Sequence, residues 1–346
     1  MAIALFGTTA GKLDAHEGWG IVVDAHERVY VADIPANTIW RISPDGRTEP
    51  IVRDVHSHAL ALGFDGFVYG TDVAISGSTR TVWRLDMTGR LSGIGTPGSE
   101  HALDLQPFLI AKNGDVYSIS RYQPKPPADG RSLYLLRRNH MGGVDTLAGG
   151  KVGYADGVGR AARFSGIDGM AWLPDGRIAL VDGARIRALA TDGSVSTLSG
   201  ELTRQQWDQD LMGLFVSVDG QILVADFAKR RLLQLVNGLT RTVFSSGFFW
   251  SPTGVTQTAN GIYVLEHLRA PLGILGDLKI GPYLQVRRIA DDGRTIVLSR
   301  AWGSNSAVAL SVMGAMVAFI LVIRGARARS RRNGIRSTWG TAPRSA

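Results

Sequence analysis

One unit recurs six times along this chain, and that recurrence limits the fold more than any other feature of the sequence. Each copy is an apolar run, a turn that usually contains glycine, and a second apolar run ending on a polar residue. GIVVDAHERVYVAD, GMAWLPDGRIALVD and GLFVSVDGQILVAD show the pattern most clearly. The six copies occupy 20–33, 59–72, 107–120, 169–182, 213–226 and 254–266. Recurrence at intervals of about 40 residues or more indicates a fold built from stacked or radially arranged units.

Each copy predicts two β-strands joined by a tight hairpin, because Asp-Gly and Asn-Gly accept positive φ at little cost. A third run such as TIWRIS, another turn and a fourth run such as TVFSSG complete the unit. A single four-stranded meander cannot bury both of its faces alone, whereas six arranged radially can. We therefore predict an all-β fold, a six-bladed β-propeller of four-stranded antiparallel blades, over residues 1–300.

These residues carry a family resemblance. GIVVDAHERVYVADIPANTIWRISPDG resembles an NHL repeat, and LAGGKVGYADGVGRAARFSGIDGMAWLPDGRIALVD is similar to the linker and repeat of bacterial NHL proteins. Over about residues 18–300 the wider resemblance is to SMP-30/gluconolactonase-like and strictosidine-synthase-like six-bladed propellers. The resemblance implies the architecture, but it does not select an activity, because this fold hosts enzymes and pure binders alike.

The basic character of the chain lies in its C-terminal tail. The net charge is +8, but seven Arg and no acid follow from Arg324 onward. Without these seven, 31 of the 38 Lys and Arg remain against 30 Asp and Glu. The propeller is therefore near neutrality, and we predict no nucleic-acid partner. The chain has no cysteine, which excludes disulfides and thiolate metal sites.

Residues 301–323 carry no charge and include the apolar run AVALSVMGAMVAFILVI. As an α-helix, residues 306–323 would span about 27 Å, close to the hydrocarbon thickness of a bilayer. Seven Arg follow this run and only Arg300 precedes it closely. The positive-inside rule then predicts a single-pass membrane protein with an extracytoplasmic propeller. Residues 324–346 would form a basic, disordered cytoplasmic tail.

Strand direction alternates within a blade, so the connections fall on two rims. Connections between first and second strands, and between third and fourth, form the tight-turn rim. The other connections form the loop-rich rim, where four long segments are predicted, at 120–132, 148–167, 200–211 and 266–283. Long loops on a rigid scaffold are where binding usually resides. We predict the functional site on the loop-rich rim.

Each inner strand starts at the loop-rich rim, so the residue before its first glycine or equivalent is expected at the mouth of the central channel. These residues are Trp19, His58, Gln106, Asp168, Met212 and Thr253. We predict ligand binding by five of them: Trp19, His58, Gln106, Asp168 and Thr253. The resemblance to gluconolactonase-like propellers implies acidic and amide ligands for a divalent metal there. Only Asp168, His58 and Gln106 suit Ca²⁺ or Zn²⁺, since Trp19 and Met212 do not coordinate hard cations.

Two further sets of residues could carry chemistry. The HSH triplet at 56–58 places two imidazoles on one face of a strand, as two zinc ligands require, with His101 or His267 as a third. Carboxylates also end the second strand in most copies. Because they recur so often, we predict a structural role for them, accepting N–H groups of the neighbouring loop. They are Asp33, Asp72, Asp182, Asp226 and Glu266.

The sequence leaves two main functions open. In the first, a membrane-tethered propeller acts as a binding module whose loop-rich rim docks a protein, a glycan or a small molecule. In the second, the channel mouth holds a metal-dependent, lactonase-like hydrolase site. The residues do not decide whether the protein is an enzyme, nor do they identify a ligand.

Overall fold

The computed structural model describes residues 18–72, 81–86, 88–94, 107–120, 132–203, 211–268 and 282–302. Within these ranges the chain forms six antiparallel sheets, five with four strands and one with five. Each sheet is built from strands that are consecutive in the sequence. The all-β, six-bladed fold predicted from the repeat is therefore confirmed.

The first three blades each contain four strands, numbered from the inside outward. Blade one contains β1 (Ile21–Val23), β2 (Val29–Asp33), β3 (Thr38–Ile42) and β4 (Thr48–Arg53). Blade two contains β5 (Leu60–Leu62), β6 (Val68–Asp72), β7 (Thr81–Leu85) and β8 (Leu91–Ile94). Blade three contains β9 (Phe108–Ile110), β10 (Val116–Ser120), β11 (Ser132–Arg138) and β12 (Val144–Lys151).

The last three blades follow the same plan with one addition. Blade four contains β13 (Gly157–Val158), a 3₁₀ helix (Gly159–Ala161), β14 (Ile167–Trp172), β15 (Ile178–Asp182), β16 (Arg185–Leu189) and β17 (Ser194–Thr197). Blade five contains β18 (Leu211–Val216), β19 (Ile222–Asp226), β20 (Arg231–Val236) and β21 (Leu239–Ser245). Blade six contains β22 (Trp250–Thr258), β23 (Gly261–Leu268), β24 (Pro282–Ile289) and β25 (Thr295–Trp302).

The blades close into a ring. The inner strands contact one another in chain order, and β22 of blade six contacts β1 of blade one. Apolar side chains fill the spaces between neighbouring blades: Val31 and Ile21 of blade one pack in one cluster with Leu265 and Val286 of blade six. Burial of both faces of each sheet supplies the hydrophobic stabilisation that no single blade could reach alone.

Glycines let the inner strands approach each other near the axis. A Cβ on Gly169 would lie 2.7 Å from the carbonyl oxygen of Met212, in the next blade. A Cβ on Gly254 would overlap the carbonyl oxygen of Trp19 across the junction of blades six and one. The glycine that opens several copies of the repeat is thus required by packing between blades.

Part of the segment predicted as a loop at 148–167 belongs to blade four. The short strand β13 pairs with β17 as a fifth, outermost strand. The carboxylate of Asp156 accepts hydrogen bonds from the backbone N–H of Thr197 at 3.0 Å and from its hydroxyl at 2.9 Å. This segment is therefore secured along the edge of the sheet as well as at the rim.

The structure describes only the beginning of the C-terminal region for which a membrane helix and a basic tail are predicted. The strand β25 extends to Trp302, two residues beyond the boundary predicted for the propeller. No helix among the described residues is long and apolar enough to span a bilayer. Residues 303–346, which contain the apolar run and the basic tail, lie outside the described residues.

Candidate ligand site at the channel mouth

The structure describes five of the six residues expected at the channel mouth. His58, Asp168, Met212 and Thr253 are buried, and Trp19 is partly buried. Gln106 lies outside the described residues. Trp19, His58 and Thr253 belong to blades that are neighbours in the ring, whereas Asp168 belongs to blade four on another part of it.

Blades one and two meet at a tryptophan and two histidines. The backbone N–H of Trp19 donates to the carbonyl oxygen of His58 at 2.9 Å, and the two side-chain rings meet edge to face with centroids 5.8 Å apart. His56 Nε2 and His58 Nε2 lie 2.8 Å apart, which is a hydrogen-bonding distance. The spacing of the HSH triplet therefore does bring the two imidazoles together.

The hydrogen bonds assign the protons of this imidazole pair. His56 Nδ1 lies 3.3 Å from Asn37 Oδ1, an acceptor, so Nδ1 carries the proton. His56 Nε2 then holds a lone pair and accepts a hydrogen bond from the Nε2–H of His58. In this tautomer His58 Nδ1 is an acceptor rather than a donor.

Blade six contributes a second polar cluster, made of Ser251, Thr253 and His267. Ser251 and His267 are directly opposed on β22 and β23, so their side chains lie on one face of the sheet. Thr253 Oγ1 lies 2.9 Å from His267 Nδ1 and 3.4 Å from the carbonyl oxygen of Leu265. The Thr253 hydroxyl can donate to Leu265 while it accepts from His267 Nδ1, and in that tautomer His267 Nε2 carries a lone pair.

Two atoms of this cluster are buried without a partner. Among the described residues, His267 Nε2 and Ser251 Oγ have no hydrogen-bond partner, although His267 is only 5% exposed and Ser251 is fully buried. Burial lowers the pKa of His267 to about 3, so the imidazole is neutral at physiological pH. In the tautomer that donates from Nδ1, a neutral nitrogen with a lone pair and a hydroxyl therefore lie on one face of the sheet, on neighbouring strands.

We call the five polar residues of these two clusters, together with the tryptophan between them, the mouth arc. They are Trp19, His56, His58, Ser251, Thr253 and His267. The carbonyl oxygen of Trp19 packs against Gly254, the residue after Thr253, and its N–H bonds to His58. Backbone contacts thus join the two clusters through blade one.

Three of the five carboxylates that end the second strands accept N–H groups of a neighbouring loop, as predicted, and the side chain of Asp72 lies outside the described residues. Asp182 Oδ1 accepts the backbone N–H groups of Ser165 and Gly166 at 2.7 and 3.0 Å. Asp33 and Asp226 likewise accept an N–H from the loop that follows them. Glu266 departs from this pattern, since its Oε2 accepts from the side chains of Gln285 and Arg287.

The described part of the mouth does not match a calcium site. Calcium takes six to eight oxygen ligands, whereas the mouth arc offers imidazole nitrogens and hydroxyls. No group of three His, Asp or Glu side chains suited to a metal occurs among the described residues. The combination of Asp168, His58 and Gln106 stays a prediction, because Gln106 is not described.

A cavity of about 380 Å³ lies on the opposite, tight-turn rim between blades four and five. Leu173, Leu198, Ile222 and Leu235 line much of it. Its charged pair, Asp175 and Arg177, is already joined at 2.7 Å. The cavity therefore presents few groups that could orient a polar ligand.

Comparison with known proteins supports the architecture. No family model and no curated protein matches the chain. A gluconolactonase from Xanthomonas campestris is 13% identical, with a TM-score of 0.52 over 72% of this chain and 83% of that one. Regucalcin from Agrobacterium tumefaciens, a calcium-binding protein, is 15% identical, with a TM-score of 0.52 over 75% and 86%. A virginiamycin B lyase from Staphylococcus aureus with quinupristin is 15% identical, with a TM-score of 0.51 over 72% and 91%.

By its fold, then, the chain is a six-bladed β-propeller. Its structural neighbours are more particularly gluconolactonase- and regucalcin-like propellers, together with virginiamycin B lyase. TM-scores of 0.51 to 0.52 show a shared fold. Identities of only 13 to 15% leave the activity to be argued from the site.

Proposed function

We propose that this propeller is a membrane-tethered binding module that holds a small, hydroxyl-bearing ligand at the mouth arc. The observation that carries the proposal is a cross-strand pair of buried atoms, His267 Nε2 and Ser251 Oγ, that have no hydrogen-bond partner among the described residues. Leaving a buried polar group unpaired costs about 1–3 kcal/mol. One ligand hydroxyl satisfies both, because it donates to the nitrogen and accepts from the serine.

The test is binding of sugar lactones and polyols, with D-glucono-1,5-lactone as the first probe, measured by calorimetry. We expect Ser251→Ala to weaken binding by roughly tenfold, as the loss of about 1.4 kcal/mol implies. The same variant should keep its stability, because it removes a hydroxyl that has no partner in the fold. Ser196→Ala, at an exposed position of β17 in blade four, is the matched control. Equal affinity in both variants, or no binding by any probe, would overturn the proposal.

A second candidate, lactonase-like hydrolysis, is favoured by the imidazole pair and by the gluconolactonase among the structural neighbours. Opening a lactone with water needs a group that takes a proton from the water. The His58 imidazole is the candidate for that base, and the Trp19 ring beside it offers an apolar wall. A divalent metal, if bound, would supply polarisation of the lactone carbonyl, and the imidazoles suit Zn²⁺ better than Ca²⁺.

Hydrolysis of the same lactone in a pH-stat separates an enzyme from a binder. We expect His58→Ala to lose at least tenfold in rate, the low end of what a general base contributes. His140→Ala, on an exposed turn of the opposite rim, should leave the rate unchanged. Elemental analysis of the purified full chain shows whether zinc or calcium accompanies it. If wild type opens the lactone no faster than buffer, the enzymatic candidate is wrong and the binding module stands.

Residues 306–323 support the proposed membrane tether, because they form an uncharged, mostly apolar segment long enough to span a bilayer as a helix. We expect the full chain to float with lipid vesicles and to resist extraction by alkaline carbonate. Protease added to intact cells should digest the propeller, since the arginines after residue 323 favour a cytoplasmic C-terminus. A chain recovered entirely in the aqueous fraction would exclude the tether.

A further inference from the structure

Blade five carries two exposed phenyl rings on the loop-rich rim. Phe248 is 74% exposed and Phe249 is 52% exposed, in the connection between β21 and β22. Their rings meet edge to face with centroids 5.1 Å apart. Large aromatic side chains placed side by side in water usually mark a contact surface.

Two basic residues accompany the aromatic pair. The guanidinium of Arg230 lies 5.2 Å from the centroid of the Phe248 ring, and its Nη1 donates to the carbonyl oxygen of Phe248 at 3.1 Å. Lys229 is exposed beside it, with its Nζ 3.5 Å from the carbonyl oxygen of Leu202. Within the described ranges, neither cation forms a salt bridge, whereas Arg231 pairs with Asp226 at 2.7 Å. We call Lys229, Arg230, Phe248 and Phe249 the rim patch.

The point where the chain leaves the propeller lies on the same rim. The strand β25 begins at the tight-turn rim and ends at Trp302, in the blade next to the rim patch. The uncharged segment predicted to cross the bilayer begins at residue 306. Four residues of extended chain span at most about 14 Å. A bilayer crossed by 306–323 must therefore lie within that distance of the loop-rich rim of blade six.

We infer that the rim patch docks on the surface of an anionic lipid bilayer. The inference rests on the proposed tether, which brings this rim to the membrane. Phenyl rings favour the boundary between headgroups and acyl chains, and unpaired cations beside them attract lipid phosphates. The composition of the patch matches this partner, because apolar contact and positive charge occur together. The tether and the patch then hold the propeller by two points and fix its orientation.

A single spin label on the full chain tests this docking directly. The protein has no cysteine, so Phe248→Cys provides the only thiol for a nitroxide label. The matched control is Phe64→Cys, at a residue 63% exposed on the tight-turn rim. Both labelled chains are reconstituted in vesicles of phosphatidylglycerol and phosphatidylcholine. The accessibility of each label to oxygen and to a water-soluble nickel complex is then measured.

We expect the label at 248 to be more accessible to oxygen than to the nickel complex, as a label immersed in a bilayer is. The label at 64 should be more accessible to the nickel complex. Replacing Lys229 and Arg230 with Gln should reduce the immersion, as should omission of phosphatidylglycerol. A chain that floats with vesicles but has both labels equally open to nickel overturns the docking and leaves the tether intact. If the full chain does not float with the vesicles, both the tether and the docking of the rim patch are wrong. A label at 248 shielded from both reagents indicates contact with protein, which also contradicts docking on lipid.

Discussion

His267 is a neutral imidazole fixed inside blade six, and this makes its effect on stability depend on pH. Burial lowers its pKa from 6.5 to about 3. Below pH 6.5 the unfolded chain takes up a proton at this residue while the folded chain does not. The contribution of the neutral His267 to the free energy of unfolding is therefore fully present above pH 6.5. It decreases by about 1.4 kcal/mol per pH unit as the pH falls toward 3.

Comparison with His267→Asn isolates this contribution. Asn keeps a hydrogen-bonding group near Thr253 but does not titrate in this range. We expect the free energy of unfolding of the wild type, relative to the variant, to fall by about 2 kcal/mol between pH 7 and pH 5. Urea unfolding at a series of pH values measures the difference. Parallel pH profiles for the two proteins would show that His267 is accessible to protons in the folded state.

Reasoning from sequence found part of the mouth arc and missed the rest for a definable reason. The rings of His56 and His58 lie together as predicted, but the predicted strand is wrong, because both residues lie in the connection between β4 and β5. His267 was expected to reach the mouth through a loop, yet it lies within β23. Ser251 was not predicted at all, because its pairing with His267 depends on a shift in register between Pro252 and Gly254. A β-bulge of this kind leaves no pattern that alternation of apolar residues could reveal.

At the level of the element, blade four is held to its extra strand by one buried arginine. Arg187 is fully buried, and its Nη1 donates to Asp182 at 2.7 Å. Its Nη2 donates to Asp156 at 2.8 Å and to the carbonyl oxygen of Ala155 at 2.6 Å. One guanidinium thus joins the core of the blade to the segment that leads into β13.

Removing this guanidinium should cost far more than removing an exposed one. Arg187→Met leaves the fully buried Asp182 carboxylate without its cation, and we expect a loss of about 3–5 kcal/mol in the free energy of unfolding. Arg177→Met breaks the exposed pair with Asp175 and should cost at most about 1 kcal/mol. Hydrogen exchange should also accelerate across 155–163 in the first variant only. Unchanged exchange there would mean that β13 is held without Arg187.

The sequence alone placed this segment in a loop because β13 is only two residues long and has no alternating apolar pattern. Its position depends on polar contacts with residues far away in the sequence. Arg187 occupies a strand position where most copies of the repeat have an apolar side chain, so its partners could not be inferred from the pattern. Long strands were predictable from periodicity, whereas a short edge strand needs tertiary contacts to be seen.

For the whole molecule, the number and order of the blades were predictable because they follow from the repeat. The prediction rested on six copies that each needed a neighbour to cover an apolar face. The same copies carry glycine at the inner strand in four cases: Gly20, Gly169, Gly213 and Gly254. In the sequence, these glycines show only where four of the copies begin. The structure shows that they allow adjacent inner strands to touch, which is a property of the closed ring.

A last prediction follows for the junction that closes the ring. Gly254 of blade six faces the backbone of Trp19 in blade one, so a methyl group there must push the two blades apart. We expect Gly254→Ala to lower the free energy of unfolding by about 1–3 kcal/mol, the usual cost of overpacking. Gly93→Ala is the matched control, since Gly93 also lies in a strand but a Cβ there meets open space. Urea unfolding compares the two variants, and an equal effect would mean that the ring does not depend on close contact at this junction.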